Sequence, residues 1–189
     1  MPRAATDARD RILSTASTLF YQQGIRAVGV DTIIAQSEVA KTTFYRYFPA
    51  KDDLVVAYLE ERNQKFWELF EITVSQFPDR PKQQLLAIFS WLDELLACAD
   101  SQGCPFLAVA SEFPEIDYPG HRVAIAHKTQ LRDRLAALAR SSGIAQAEAL
   151  SAGLMLLVDG AFVQRRLYQT HRVKLCQAAT VLMRAYDGT

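Results

Sequence analysis

Residues 30–54 read Val30-Asp31-Thr32-Ile33-Ile34-Ala35-Gln36-Ser37-Glu38-Val39-Ala40-Lys41-Thr42-Thr43-Phe44-Tyr45-Arg46-Tyr47-Phe48-Pro49-Ala50-Lys51-Asp52-Asp53-Leu54. The stretch holds two short helical runs, Val30–Ser37 and Thr42–Phe48, with only a few residues between them, and Pro49 closes the second. Two short helices joined by a tight turn, after a longer supporting helix, are the arrangement of a helix-turn-helix reader of DNA. The second helix must then show small or polar groups at the end that enters the major groove, and Lys41-Thr42-Thr43 supplies them. Its other side must be pinned to a core, a task for Phe44 and Phe48, four residues apart. Tyr45 and Tyr47 bring hydroxyls to the groove's edge, where phosphate oxygens accept. Lys41 can reach a guanine edge or a phosphate, while Arg46 and Lys51 suit phosphates by type. Taken without their surroundings, all four aromatics serve equally well as core residues of a helical domain.

Outward from this stretch, nearly every segment repeats at helical spacing, and none alternates as a strand would. Upstream, Ile12, Ala16, Leu19 and Phe20 stripe a helix from Asp7 to Gln23, with Thr6 or Asp7 as its cap and Gly24 as its stop. Downstream, a long helix starts at Lys51 with Asp52 and Asp53 at its positive end, and runs to Gln76. Phe77-Pro78-Asp79-Arg80-Pro81 breaks it. Leu85, Phe89, Leu92 and Leu96 mark the next helix, which ends before Asp100–Gly103. Pro105–Glu112, His121–Ser142, Ala145–Gln169 and Val173–Tyr186 complete the series. The expected fold is all-α, with about nine helices.

Composition narrows the function. The 189 residues carry 21 basic and 21 acidic groups. The first 51 residues hold seven basic against four acidic groups, an excess suited to phosphate contact and balanced by an acidic remainder. Three cysteines, Cys98, Cys104 and Cys176, are too few for a disulfide framework and fit a reducing compartment. The N-terminus lacks an apolar export core, so the expected location is the cytoplasm. The most apolar stretch, Ala149–Val163, is short for a membrane span and contains Asp159, so no membrane partner is expected. His121, His127 and His171 stand at no metal-pair spacing to one another or to a cysteine. No phosphate loop, dinucleotide motif or nucleophile elbow is present either. The expectation is therefore no metal, no cofactor and no enzyme activity.

Residues 30–54 resemble the signature of the tetracycline-repressor (TetR/AcrR) family of transcription regulators. The resemblance covers roughly the first 54 residues. It is specific because Thr43-Phe44-Tyr45, Tyr47-Phe48 and Lys51-Asp52-Asp53-Leu54 all fall at the family's spacing. It implies a DNA-binding domain over 1–50 and an effector-binding, dimerisation domain over 51–189. It implies phosphate contacts from Tyr45, Tyr47 and Lys51, base contacts from Lys41, Thr42 and Thr43, and a backbone contact near Thr32. Arg46 joins the DNA-binding set on its charge. Three positions depart from the pattern. Glu38 stands where the family has a turn glycine, and a left-handed backbone there costs a non-glycine residue about 1 kcal/mol. Ala40 and Ala50 replace helix caps, each worth about 1 kcal/mol.

The resemblance further implies a ligand-released repressor acting as a homodimer on a near-palindromic double-stranded DNA operator. The partners are then that operator, a small-molecule effector and a second copy of the chain. Residues 149–163 have almost no solvent-friendly face and call for burial on every side, part of it against a second subunit. Leu150, Leu154, Leu157, Ala161, Leu175, Ala179, Leu182 and Tyr186 form the expected interface; an ordinary central helix of a monomer is the other reading. Phe66, Phe70, Trp91, Leu95, Cys98, Phe106, Phe113, Tyr118, His127 and Phe162 form the expected effector pocket, and each also serves by type as plain core. Two further alternatives are a redox-responsive regulator using Cys98 and Cys104, and a non-enzymatic helical interaction protein.

Overall fold

The computed structural model describes residues 8–169 and 174–186. Thr6, Asp7, His171 and Val173, named above, lie outside the described residues. Nine α-helices occur among those described, and no strand: α1 Ala8–Gln23, α2 Val30–Ser37, α3 Lys41–Tyr47, α4 Lys51–Ser75, α5 Pro81–Ala97, α6 Pro105–Glu112, α7 Pro119–Ser141, α8 Ala147–Tyr168 and α9 Leu175–Tyr186. The fold is all-α.

The chain packs as two compact units. The first comprises the described residues of Met1–Asn63 together with Pro105–Ile125, and the second those of Gln64–Cys104 together with Ala126–Thr189.

The first unit is organised by punctuation as much as by its apolar stripe. Ile12, Ala16, Leu19 and Phe20 of α1 are buried with Ile33, Phe44, Phe48, Leu54 and Tyr58, and Phe20 meets Tyr58 edge to face at 5.6 Å. Gly24 ends α1 in the left-handed region, φ +89°, and its N–H donates to the Phe20 carbonyl at 3.0 Å. Glu38 does adopt the left-handed conformation (φ 54°, ψ 42°) at the end of α2, so the strain of about 1 kcal/mol is present. Ala40 enters α3 from extended backbone with no side-chain cap, and its carbonyl accepts the N–H groups of Thr43 and Phe44. At the head of α4, Asp53 substitutes for the missing cap from inside the helix. Its Oδ2 accepts the Ala50 N–H at 2.9 Å, half of a capping box.

In the second unit, α9 packs on α5 and α8. Asp93 of α5 caps α9, accepting the N–H groups of Leu175 and Cys176, each at 2.8 Å. This defines the start of α9. Arg165 of α8 does the converse for α5: its buried guanidinium donates to the carbonyls of Leu96, Cys98 and Ala99. Helix α8 is long and apolar enough to cross a membrane by length and composition. It nevertheless buries Leu150, Leu154, Val158 and Phe162 by packing within this unit, and Asp159 pairs with Lys128.

Candidate nucleic-acid interface

Helix α3 has two unlike sides. Phe44 has no exposed surface and Phe48 keeps 3%; their rings lie 6.2 Å apart and fix the helix to the core of its unit. Lys41, Thr42, Tyr45 and Arg46 are exposed, with Thr43 and Tyr47 half-buried beside them. Tyr45 leans edge-on against Phe44 at 5.3 Å, and the Arg46 guanidinium lies 5.1 Å over the Tyr47 ring. Each contact limits the rotamers of a group whose polar tip stays in solvent. Lys41 Nζ lies 3.3 Å from Asp31 Oδ1 on the exposed start of α2, one position from the exposed Thr32. Thr32, Lys41, Thr42, Thr43, Tyr45, Arg46 and Tyr47 therefore all belong to α2 and α3.

Lys51 is different. It is half-buried, and Nζ donates to the Ile25 carbonyl at 2.6 Å. Burial lowers its pKa, against the opposing influence of the Glu112 and Asp52 carboxylates. The ammonium has three N–H groups, so this tie leaves donors for a phosphate. Glu112 itself escaped the sequence reading. It stands 87 residues from Ile25, whose N–H it receives, and no local pattern joins two positions that far apart.

The expected pocket residues separate by unit. Phe66, Phe70, Trp91 and His127 come together in the second, with Trp67 added. Phe66 lies 5.1 Å from Trp91, 4.8 Å from His127 and 6.3 Å from Phe70, and Trp67 lies 5.0 Å from Phe70. His127 is buried, and its pKa falls to about 3, first through desolvation and second through Lys128. Leu95 is half-buried on α5, Phe162 is buried on α8, and Cys98 is an exposed free thiol. Phe106, Phe113 and Tyr118 sit in the first unit, where Phe113 and Tyr118 stack at 4.1 Å. Burial and a hydrogen bond to Asp52 push the Tyr118 phenol far above its usual range. No cluster of metal-ligating side chains occurs among the described residues.

The expected interface residues also divide. Leu150, Leu154, Ala161, Leu175 and Ala179 are buried by the chain's own packing, while Leu157, Leu182 and Tyr186 are half-buried. The apolar groups facing outward are Leu156 (76% exposed), Val163 and Leu167 on α8 and Val181 on α9. Positions 156, 163 and 167 recur at helical spacing, which is the signal that could have separated them from their inward neighbours.

The model of bacterial regulatory proteins of the tetR family matches residues 12–58, the segment that carries this geometry. A crystal structure of a TetR-family transcriptional regulator from Streptomyces coelicolor superposes with a TM-score of 0.91 at 29% identity, over 95% of each chain. The HTH-type transcriptional regulator YxaF of Bacillus subtilis is 27% identical over 82% of each chain. The HTH-type transcriptional repressor NemR of Escherichia coli is 32% identical over 78 residues, 39% of each chain.

Proposed function

Because this chain belongs to the TetR family of bacterial regulatory proteins, whose members are DNA-binding transcriptional regulators, we propose that it is a ligand-released repressor acting in the cytoplasm as a homodimer on a near-palindromic operator. The observation that carries the reading is the division of α3: Phe44 and Phe48 are inside, and Lys41, Thr42, Tyr45 and Arg46 are outside on one short helix. A helix held in that way can enter a major groove without rearrangement of its support. Lys41, Thr42 and Thr43 read base edges, and Thr32, Tyr45, Arg46, Tyr47 and Lys51 hold phosphates. DNA reading belongs to residues 1–50, with Lys51 adding a phosphate contact from the boundary, and effector binding and dimerisation belong to 51–189. Repression is supported by the name of the relative NemR, a transcriptional repressor.

Two copies meet through the outward faces of α8 and α9, since Leu156, Val163 and Leu167 recur at helical spacing along α8 and, like Val181 of α9, are apolar and exposed to water. Dimerisation sets two reading heads one helical turn apart, roughly 34–36 Å. The effector is a small, largely apolar molecule that enters the cluster of Phe66, Trp67, Phe70, Trp91 and His127. These rings already touch, so binding must displace at least one of them. The role is regulatory, without catalysis. Selection of bound fragments from a genomic library, followed by footprinting, tests the whole reading: one protected near-palindrome is expected, and equal binding to all fragments at physiological salt would sink it.

A further inference from the structure

Helix α6 ends in a carboxylate, at the pole where the helix dipole disfavours one. That residue, Glu112, reaches the turn after α1. Its Oε1 accepts the Ile25 N–H at 3.0 Å and its Oε2 the Arg26 N–H at 2.6 Å. Both donors lie in the turn just past Gly24, where α1 has stopped and no helical carbonyl is in place to accept them, so the carboxylate supplies their acceptors. Gly24 makes the approach possible: a Cβ there would stand 3.2 Å from Glu112 Oε1, on a backbone of φ +89° that side chains rarely adopt. The same peptide is held from its other side, because the Ile25 carbonyl accepts from Lys51 Nζ at 2.6 Å.

The surrounding contacts repeat this connection. The Arg26 guanidinium lies 4.8 Å over the Phe113 ring, Phe113 stacks on Tyr118, and the Tyr118 hydroxyl donates to Asp52 Oδ1 at 3.0 Å. At Gly120, a Cβ would stand 3.2 Å from Val55 of α4. All of these residues belong to one compact unit. Segment 105–125 is therefore part of the body that carries α3, although it is remote from α3 in the chain.

We propose that Glu112 is a positioning residue for DNA binding. It touches no DNA. It fixes the turn that leads into α2 and the carbonyl that anchors Lys51, so that Thr32 and Lys51 meet phosphates in register with α3. The inference rests on the DNA contacts proposed above. Two acceptors are needed for two N–H donors, so glutamine at 112 fails even though its shape is conserved. It offers one acceptor and turns an NH2 group towards the other N–H.

The test compares full-length wild type with Glu112→Gln by amide hydrogen exchange, and by operator binding at several salt concentrations. The Ile25 and Arg26 amides are expected to exchange roughly ten-fold faster, while the Phe44 amide keeps its protection. Operator affinity falls roughly ten-fold, equally for matched and mismatched sites, and the salt slope flattens by about one as the Lys51 contact is lost. If Glu112→Gln does not fold, Glu112→Asp, which keeps the charge on a shorter arm, is read by the same criteria. A folded variant that binds operator within about two-fold of wild type overturns the proposal, a difference below 0.5 kcal/mol. Weakened binding with unchanged exchange at Ile25 and Arg26 overturns it as well. Wild type that binds no operator removes the underlying DNA reading, an outcome distinct from both.

Discussion

Phe44 and Tyr45 are adjacent in the chain and opposite in environment, one with no exposed surface and the other 44% exposed. Tyr45→Phe removes a single hydroxyl and leaves the edge-on contact with Phe44 intact. Affinity should drop by about 1 kcal/mol, equally for matched and mismatched operators. Lys41→Ala should instead change the order of preference among operator variants, and competition binding against a panel of single-base variants separates the two. A shift of preference by Tyr45→Phe alone would reverse the assigned roles. His127 gives a prediction of another kind. Its pKa in the folded chain is about 3, below the ordinary 6.5, because burial and then Lys128 disfavour the charged ring. Between those values the unfolded chain binds the proton more readily. The neutral ring's contribution to stability is thus complete above pH 6.5 and is lost as pH falls towards about 3, at up to about 1.4 kcal/mol per pH unit. His127→Gln, which does not titrate, should flatten the decline of melting temperature on acidification. Parallel declines in the two proteins would count against this burial.

At the scale of elements, helix bounds follow closely from periodicity and punctuation. Helices α2 and α6 run as their flanking turn residues predict, and α7 begins two residues early because Pro119 is well suited to a first helical position. The faces of α8 were much less legible. When a helix is apolar all round, spacing alone does not say which stripe meets its own chain. Leu154 and Leu156 look alike in sequence, yet one is fully buried and the other 76% exposed. The difference follows from position: Leu154 lies on the stripe of Leu150, Leu154, Val158 and Phe162 that α8 buries, and Leu156 stands roughly half a turn round the helix from it. It is testable by charge insertion. Leu154→Glu should unfold the protein, since a buried unpaired charge costs on the order of several kcal/mol. Leu156→Glu should leave helicity and melting intact and convert the proposed dimer to monomer in sedimentation. A folded dimer of Leu156→Glu would remove α8's outward stripe from the interface. On α3, by contrast, the candidate site was largely legible, because contacts four residues apart decide which side is inward. Glu112 was not, because its partners are set by tertiary packing alone.

At the scale of the whole molecule, induction is a statement about free energies and is reciprocal. An effector that weakens operator binding must itself bind the operator complex more weakly than free protein, by the same factor, roughly 5- to 150-fold. Trp67 and Trp91 stand in the aromatic cluster, so quenching of their emission reports occupancy. Titrating each hit into free protein and into preformed complex measures both affinities, and equal values would leave the cluster without a regulatory role. The discontinuity of the first unit has a consequence for synthesis. Residues 25 and 26 emerge from the ribosome long before Glu112, which follows Ile25 by 87 residues. At about 5–20 residues per second, that is a delay of roughly 4–17 s. During that interval the nascent helix-turn-helix exists without its carboxylate brace. A ribosome stalled after α4 is made and before Glu112 would leave a reading head with α1 to α4 complete and its Ile25 and Arg26 amides open to solvent. Such a head would be a substrate for chaperones and proteases before it could compete for an operator.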